Sequence, residues 1–188
     1  MKRKILTLAT VLFAAFAANA QDDAGGNHTV SIVIPEVALL DIEGALQAIT
    51  LNAIAPTEAG EALDMNDENS TLWLNYSSIR RTGTDATRSI SAAITAGTVP
   101  GGLELKIIAA GDAGNGEGTV GTPNSIVTLS GSGQDIISGI GSAYTGSGTS
   151  NGHALTYSMV ALSGAAYGDL DADQSNTALT VSYTLSDN

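Results

Sequence analysis

Residues 170–188 read LDADQSNTALTVSYTLSDN, and residues 63–78 carry nearly the same phrase, LDMNDENSTLWLNYSS. Each is an acidic turn that delivers an alternating apolar run. Alternation with period two marks a strand with one buried face, because successive side chains of a pleated backbone point to opposite sides. Leu72, Leu74 and Tyr76 in the first phrase, and Leu179, Val181 and Tyr183 in the second, are therefore expected to face a core. Aligned without gaps at an offset of 107, the phrases share Leu63/Leu170, Asp64/Asp171, Asn69/Asn176, Leu72/Leu179 and Tyr76/Tyr183. Two core strands converging on β-favouring residues explain this as well as a duplication does. The expected arrangement puts the two strands at corresponding places in two sheets.

The same period recurs outward from these two stretches. HTVSIVI (28–34) sets Val30, Ile32 and Ile34 on one side before Pro35, and AITLNAI (48–54) does the same with Ile49, Leu51 and Ala53. RSISAAIT (88–95), LELKIIAA (103–110), SIVTLSG (125–131) and HALTYSMVAL (153–162) continue it, and VALLDIE (37–43) and DIISGIGSAY (135–144) are weaker instances. Between them VPGG (99–102), GDAGNGEGTVGTPN (111–124) and SGSG (130–133) read as turns, since glycine entropy and proline geometry oppose helix there. Asn151-Gly152 is a type I′ hairpin signal and predicts that SAYTGSGTS (142–150) pairs with HALTYSMVA (153–161). The best helical stretch is APTEAGEALDM (55–65), where Thr57 would cap a single turn. The fold class expected is all-β: an antiparallel Greek-key β-sandwich of about 8–10 strands with at most one short helical turn.

Composition narrows function. MKRKILTLATVLFAAFAANAQ places Lys2, Arg3 and Lys4 before an apolar stretch and a small-residue cleavage site, which reads as a signal peptide over 1–20 with one domain over 21–188. That stretch falls short of the roughly 20 apolar residues a bilayer span needs, so the protein is not expected to be membrane-embedded. Loss of the leader would leave 4 basic residues against 19 acidic ones. Such a charge repels phosphate backbones and argues against nucleic acid as a partner. The chain has no cysteine, so the exported domain is held by its core alone.

The catalytic inventory is thin. His28 and His153 are the two histidines, no G-x-S-x-G, H-E-x-x-H or G-x-x-x-x-G-K occurs, and His153 reads as an exposed residue at a strand start. Catalytic residues: none, and the protein is not expected to be an enzyme. Asp169, Asp171 and Asp173 alternate as the first ligands of a calcium loop do, with Asn176 as a further donor, although Gln174 and Thr180 replace the glycine and the bidentate acid of an EF-hand. Asp64, Asn66, Asp67 and Glu68 form a second acidic turn. Solvated surface turns are the plainer explanation of both. Trp73, between inward Leu72 and Leu74, falls on the outer face of its strand, where it would contact a sugar or a protein partner or pack under a loop. Arg80, Arg81 and Arg88 cluster around one expected hairpin and read as a local partner site or as paired surface charges.

LTVSYTLSD (179–187) resembles the terminal strand of WxL surface domains, with Tyr183-Thr184-Leu185 where those carry Trp-x-Leu, and STLWLNY (70–76) is similar to their earlier motif except that Asn75 stands in place of leucine. With its alternating N-terminal NHTVSIVIP (27–35) and Tyr-containing last strand, the chain also resembles pilin or fibre subunits. That second resemblance implies strand donation, in which an extended segment of one subunit completes the sheet of the next. Val30, Ile32 and Ile34 would be the donor strand, or else the first strand of their own domain. The expectation is a non-enzymatic structural or adhesive protein, secreted or on the outer surface of a Gram-negative cell. Its partners would be proteins, self-association included. The alternative is a calcium- or carbohydrate-binding module, with calcium as the one cofactor considered.

Overall fold

The structure, a computed structural model, describes residues 25–44, 48–81, 83–84, 86–162, 164, 167–174 and 178–188. The expected leader (1–20) and Asn176 lie outside the described residues. Residues 25–33 and residues 34–188 belong to separate compact units, and all the described strands lie in the second.

Among the described residues nine strands form, all of their ladders antiparallel: β1 (Val37–Glu43), β2 (Asp67–Ile79), β3 (Arg88–Ala96), β4 (Leu103–Asp112), β5 (Glu117–Pro123), β6 (Val127–Thr128), β7 (Gln134–Tyr144), β8 (His153–Ala161) and β9 (Thr180–Asp187). They pair in the order β6-β4-β8-β2-β7-β3-β9, with β1 on the other edge of β2 and β5 on the other edge of β7. The 13-residue β2 is the pivot: residues 67–74 pair with β8, and Ser77 and Ser78 pair with the end of β7. The unclosed sheet thereby folds into two sandwich-like layers, β6-β4-β8-β2-β1 and β5-β7-β3-β9. Leu72, Leu74, Ile107 and Leu155 of the first layer and Ile90, Ile137 and Ile140 of the second share one core. Among the described strands only β1 and β2 are both consecutive in the chain and paired, so nearly every connection crosses between layers.

Five expectations change. The 142–161 hairpin does not form. Tyr144 of β7 lies opposite Ser77 and His153 of β8 opposite Leu74, so both strands run antiparallel to β2 along one of its edges. A type I′ turn needs positive φ at both central residues. Here Ser150 and Gly152 have it (both 67°) and Asn151 does not. Residues 145–152 instead make a closed excursion at the corner, with Gly152 N donating to Thr145 O (3.2 Å) and Asn151 Nδ2 to Ser147 O (2.7 Å).

The glycine-rich stretch 111–124, read as a turn, contains β5. A Cβ at Gly116 would fall 1.8 Å from Tyr144 O and one at Gly118 2.2 Å from Ser142 O. These glycines serve close strand approach rather than a bend.

AITLNAI forms no strand beyond the isolated bridge of Ile54 to Asp64, although Ile49 and Leu51 pack on the core. Residues 55–65 hold no helix either, only a turn closed by Glu61 N donating to Glu58 O (3.4 Å). The short 3₁₀ turns are Tyr167–Asp169 and Ala172–Gln174, one more than the single turn expected.

The two similar phrases, finally, do not occupy corresponding places. β2 is central, paired with β1, β7 and β8, whereas β9 pairs with β3 alone.

Candidate functional site

The first strand starts at Val37, so HTVSIVI is not the first strand of the domain. Residues 25–36 form neither strand nor bridge, and Val30, Ile32 and Ile34 are 70%, 83% and 75% exposed. Large β-branched side chains in water are each normal when scattered. Three at alternate positions would form a continuous apolar edge in an extended backbone, with Thr29, Ser31 and Val33 on the other side.

The base of this segment is pinned. Glu36 Oε1 receives Arg88 Nη2 at 2.6 Å, and Glu36 Oε2 receives Arg81 Nε at 2.9 Å. Arg88 is 2% exposed and also donates to Asp187 Oδ1, the Val37 carbonyl and Ser78 Oγ. One guanidinium thus joins the start of β1, the end of β2, the start of β3 and the end of β9. Its planar array of donors suits this task, which a lysine could not perform. Arg81 and Arg88 thus serve as internal ties to Glu36 and Asp187. The sequence signal for such a buried tie was faint: an arginine where an inward residue of a strand is expected.

His153 is fully buried, which corrects its reading as an exposed residue. Its Nδ1 lies 2.8 Å from the Ala110 carbonyl and its Nε2 3.2 Å from Tyr76 Oη, and the two rings stack with centroids 5.7 Å apart. Burial, followed by the nearby Asp112 carboxylate, raises the Tyr76 pKa. Burial likewise raises those of Tyr157 and Tyr183, whose hydroxyls bond each other across the core. All three phenols are neutral in both folded and unfolded chains below the ordinary value near 10. Above it the unfolded chain releases protons that the folded chain keeps, so stability falls as pH rises past about 10. Phenolate absorbance and circular dichroism followed together should show these three phenols ionising only as the fold is lost. Ionisation of all five tyrosines in the folded protein would contradict their burial.

The acidic turns are brought near one another, since Leu63 N donates to Tyr167 Oη at 3.1 Å. Their oxygens are largely used by the chain itself. Asp64 Oδ1 accepts from both the backbone N and Nδ2 of Asn66 (3.0 Å each), which holds the Asp64 carboxyl below the usual carboxylate range. Asp67 accepts from Asn52 N (2.7 Å) and Glu68 N (2.9 Å), and Glu68 Oε1 accepts from Ser158 Oγ at 3.2 Å. Asp169, Asp171 and Asp173 are exposed, and Asp171 Oδ1 accepts from Asp173 N at 2.9 Å. Asp169 and Asp173 belong to separate 3₁₀ turns, so this stretch is coiled rather than the open loop whose alternate side chains converge on one cation. Among the described residues no group of three or more His, Asp or Glu side chains gathers in metal-binding geometry. Trp73 is half-buried on the outer face of β2, flanked by Glu43 and Ala154 on the neighbouring strands.

No protein-family model, curated protein or solved structure matches this chain. Among the described residues no helix is long and apolar enough to cross a membrane.

Proposed function

We propose that the protein is a non-enzymatic, exported structural or adhesive subunit that associates with other copies of itself through residues 28–34. One observation carries this reading: an alternating apolar segment is exposed, forms no strand or bridge, and contributes nothing to the core cluster. An extended segment of this kind gains main-chain hydrogen bonds and buries its apolar side chains when it is added to a sheet. The basic-then-apolar start of the sequence supports export, to the cell surface or beyond it. His153, with both ring nitrogens engaged inside the core, is a structural residue in this reading.

Light scattering and electron microscopy of the purified exported chain should show oligomers or fibres. A triple variant with Val30, Ile32 and Ile34 each replaced by Asp should be monomeric with an unchanged melting temperature, because these side chains lie outside the core. A wild-type protein that is monomeric at every accessible concentration would overturn the proposal.

A further inference from the structure

Residues 28–34 need a receiving edge, and the four outer strands differ sharply in how they are protected. Sheet edges are normally blunted by shortness, proline, bulges, glycine kinks or charge, because an unprotected edge templates further pairing. β6 has two residues. β5 ends on Pro123, shifts register between Gly118 and Val120, and holds Gly118 and Gly121 at positive φ. β1 starts two residues after Pro35 and carries Asp41, whose carboxylate accepts the Ile42 N–H at 2.8 Å. β9 has the fewest of these devices: its ladder with β3 shifts register only at its first residue, Thr180, and its eight residues, TVSYTLSD, contain no proline, glycine or basic residue, with one charge at the end. Its inward Val181, Tyr183 and Leu185 are only half-buried, so the core is incompletely covered on that flank.

The geometry points to β9 as the acceptor edge, receiving residues 28–34 of a second copy as an added antiparallel strand; this rests on the self-association proposed above. The lengths agree, seven residues against eight. In a chain of net charge −12, like-charge repulsion between copies is strong, yet residues 28–34 and 180–186 are both free of acidic side chains. Val30, Ile32 and Ile34 would lie beside Val181, Tyr183 and Leu185 and cover the half-exposed flank. A copy cannot serve itself as well. Glu36 is tied to Arg88, which stands opposite Asp187 in the β3–β9 ladder. A segment leaving from there along its own β9 would run parallel to it, the slightly weaker ladder, whereas a second copy is free to lie antiparallel.

The absence of native cysteine makes cross-linking a direct test. Outward Ser31 pairs by face with outward Thr184 and Ser186. A size-tagged Ser31→Cys chain mixed under mild oxidation with Thr184→Cys or Ser186→Cys should give a disulfide-linked heterodimer. Mixing it with Leu39→Cys on β1 or Thr122→Cys on β5 should give several-fold less. Oligomers whose cross-links favour β1 or β5 would overturn the β9 assignment and leave the self-association intact. A chain carrying both Ser31→Cys and Thr184→Cys that closes on itself as a monomer would also overturn it, in favour of pairing within one copy. If light scattering shows no oligomers of the unmodified chain and no mixture cross-links, both proposals fall together.

Discussion

Replacing Arg88 with methionine is expected to lower the unfolding free energy by about 3–5 kcal/mol, the range for removing one member of a buried ion pair. The guanidinium is 2% exposed, while its partners Glu36 and Asp187 are 29% and 49% exposed at the side chain. Both carboxylates can regain water once the arginine is gone, which favours the lower end. Pulling the other way, the Val37 carbonyl and Ser78 Oγ lose a charged donor in a buried place. Urea unfolding with matched slopes is the measurement, and a loss under about 1 kcal/mol would show that the tie is energetically idle. Arg88→Lys should recover little, because a point charge cannot serve several acceptors at fixed angles. Glu36→Gln is the informative partial change. It keeps the shape, leaves Asp187 paired and loosens the base of residues 28–34, so it should weaken self-association more than stability.

Gly152→Ala should cost about 2–5 kcal/mol, by two separable effects. Its φ of +67° strains any L side chain by roughly 1–2 kcal/mol. In addition, a Cβ would stand 2.2 Å from the Leu74 carbonyl and 2.7 Å from Asn75 Oδ1, backbone and buried side chain that cannot yield without moving β2, an overpacking cost of about 1–3 kcal/mol. Gly148→Ala shares the positive φ (91°), but its Cβ would meet only Asn151 Nδ2, at 4.0 Å. The difference in melting between the two variants isolates the close approach at the β2 corner. Equal losses would mean that Gly152 is needed for its dihedral alone.

The corner also shows how far local sequence reasoning reaches. Asn151-Gly152 between two alternating runs reads as a hairpin by every local rule, and yet β7 and β8 do not pair. Turn chemistry fixes the dihedrals open to a few residues; it does not fix which strand fills the edge of each neighbour. β2 is long enough to pair with both β8 and β7, so the two strands are strung along one edge of β2 and the turn residues close an excursion instead. The glycines of 111–124 misled for a related reason. Glycine marks both a bend and a place where another backbone comes close, and only the presence of β7 separates the two. AITLNAI has the period of a strand but finds only the Ile54 to Asp64 bridge. The candidate site was legible in part: the apolar face of Val30, Ile32 and Ile34 is written in the sequence, but its lack of a partner is not.

What the sequence determined by itself was the fold class and most of the strands, because a period of two over five or more residues is a property of the backbone pleat and needs no knowledge of the partner. It also determined that Leu72, Leu74 and Tyr76 face inward. Only the tertiary structure decided that β2 is the pivot and β9 an outer strand although their sequences are alike, that His153 and Arg88 are buried, and that residues 28–34 stand outside the sheet. The physical reason is common to all of these. Burial of a polar side chain and occupancy of a strand edge depend on hydrogen-bond partners supplied by residues distant in the chain, as when Arg88 is met by Glu36 and Asp187, 52 and 99 positions away, and such pairings leave no periodic trace in the local chain.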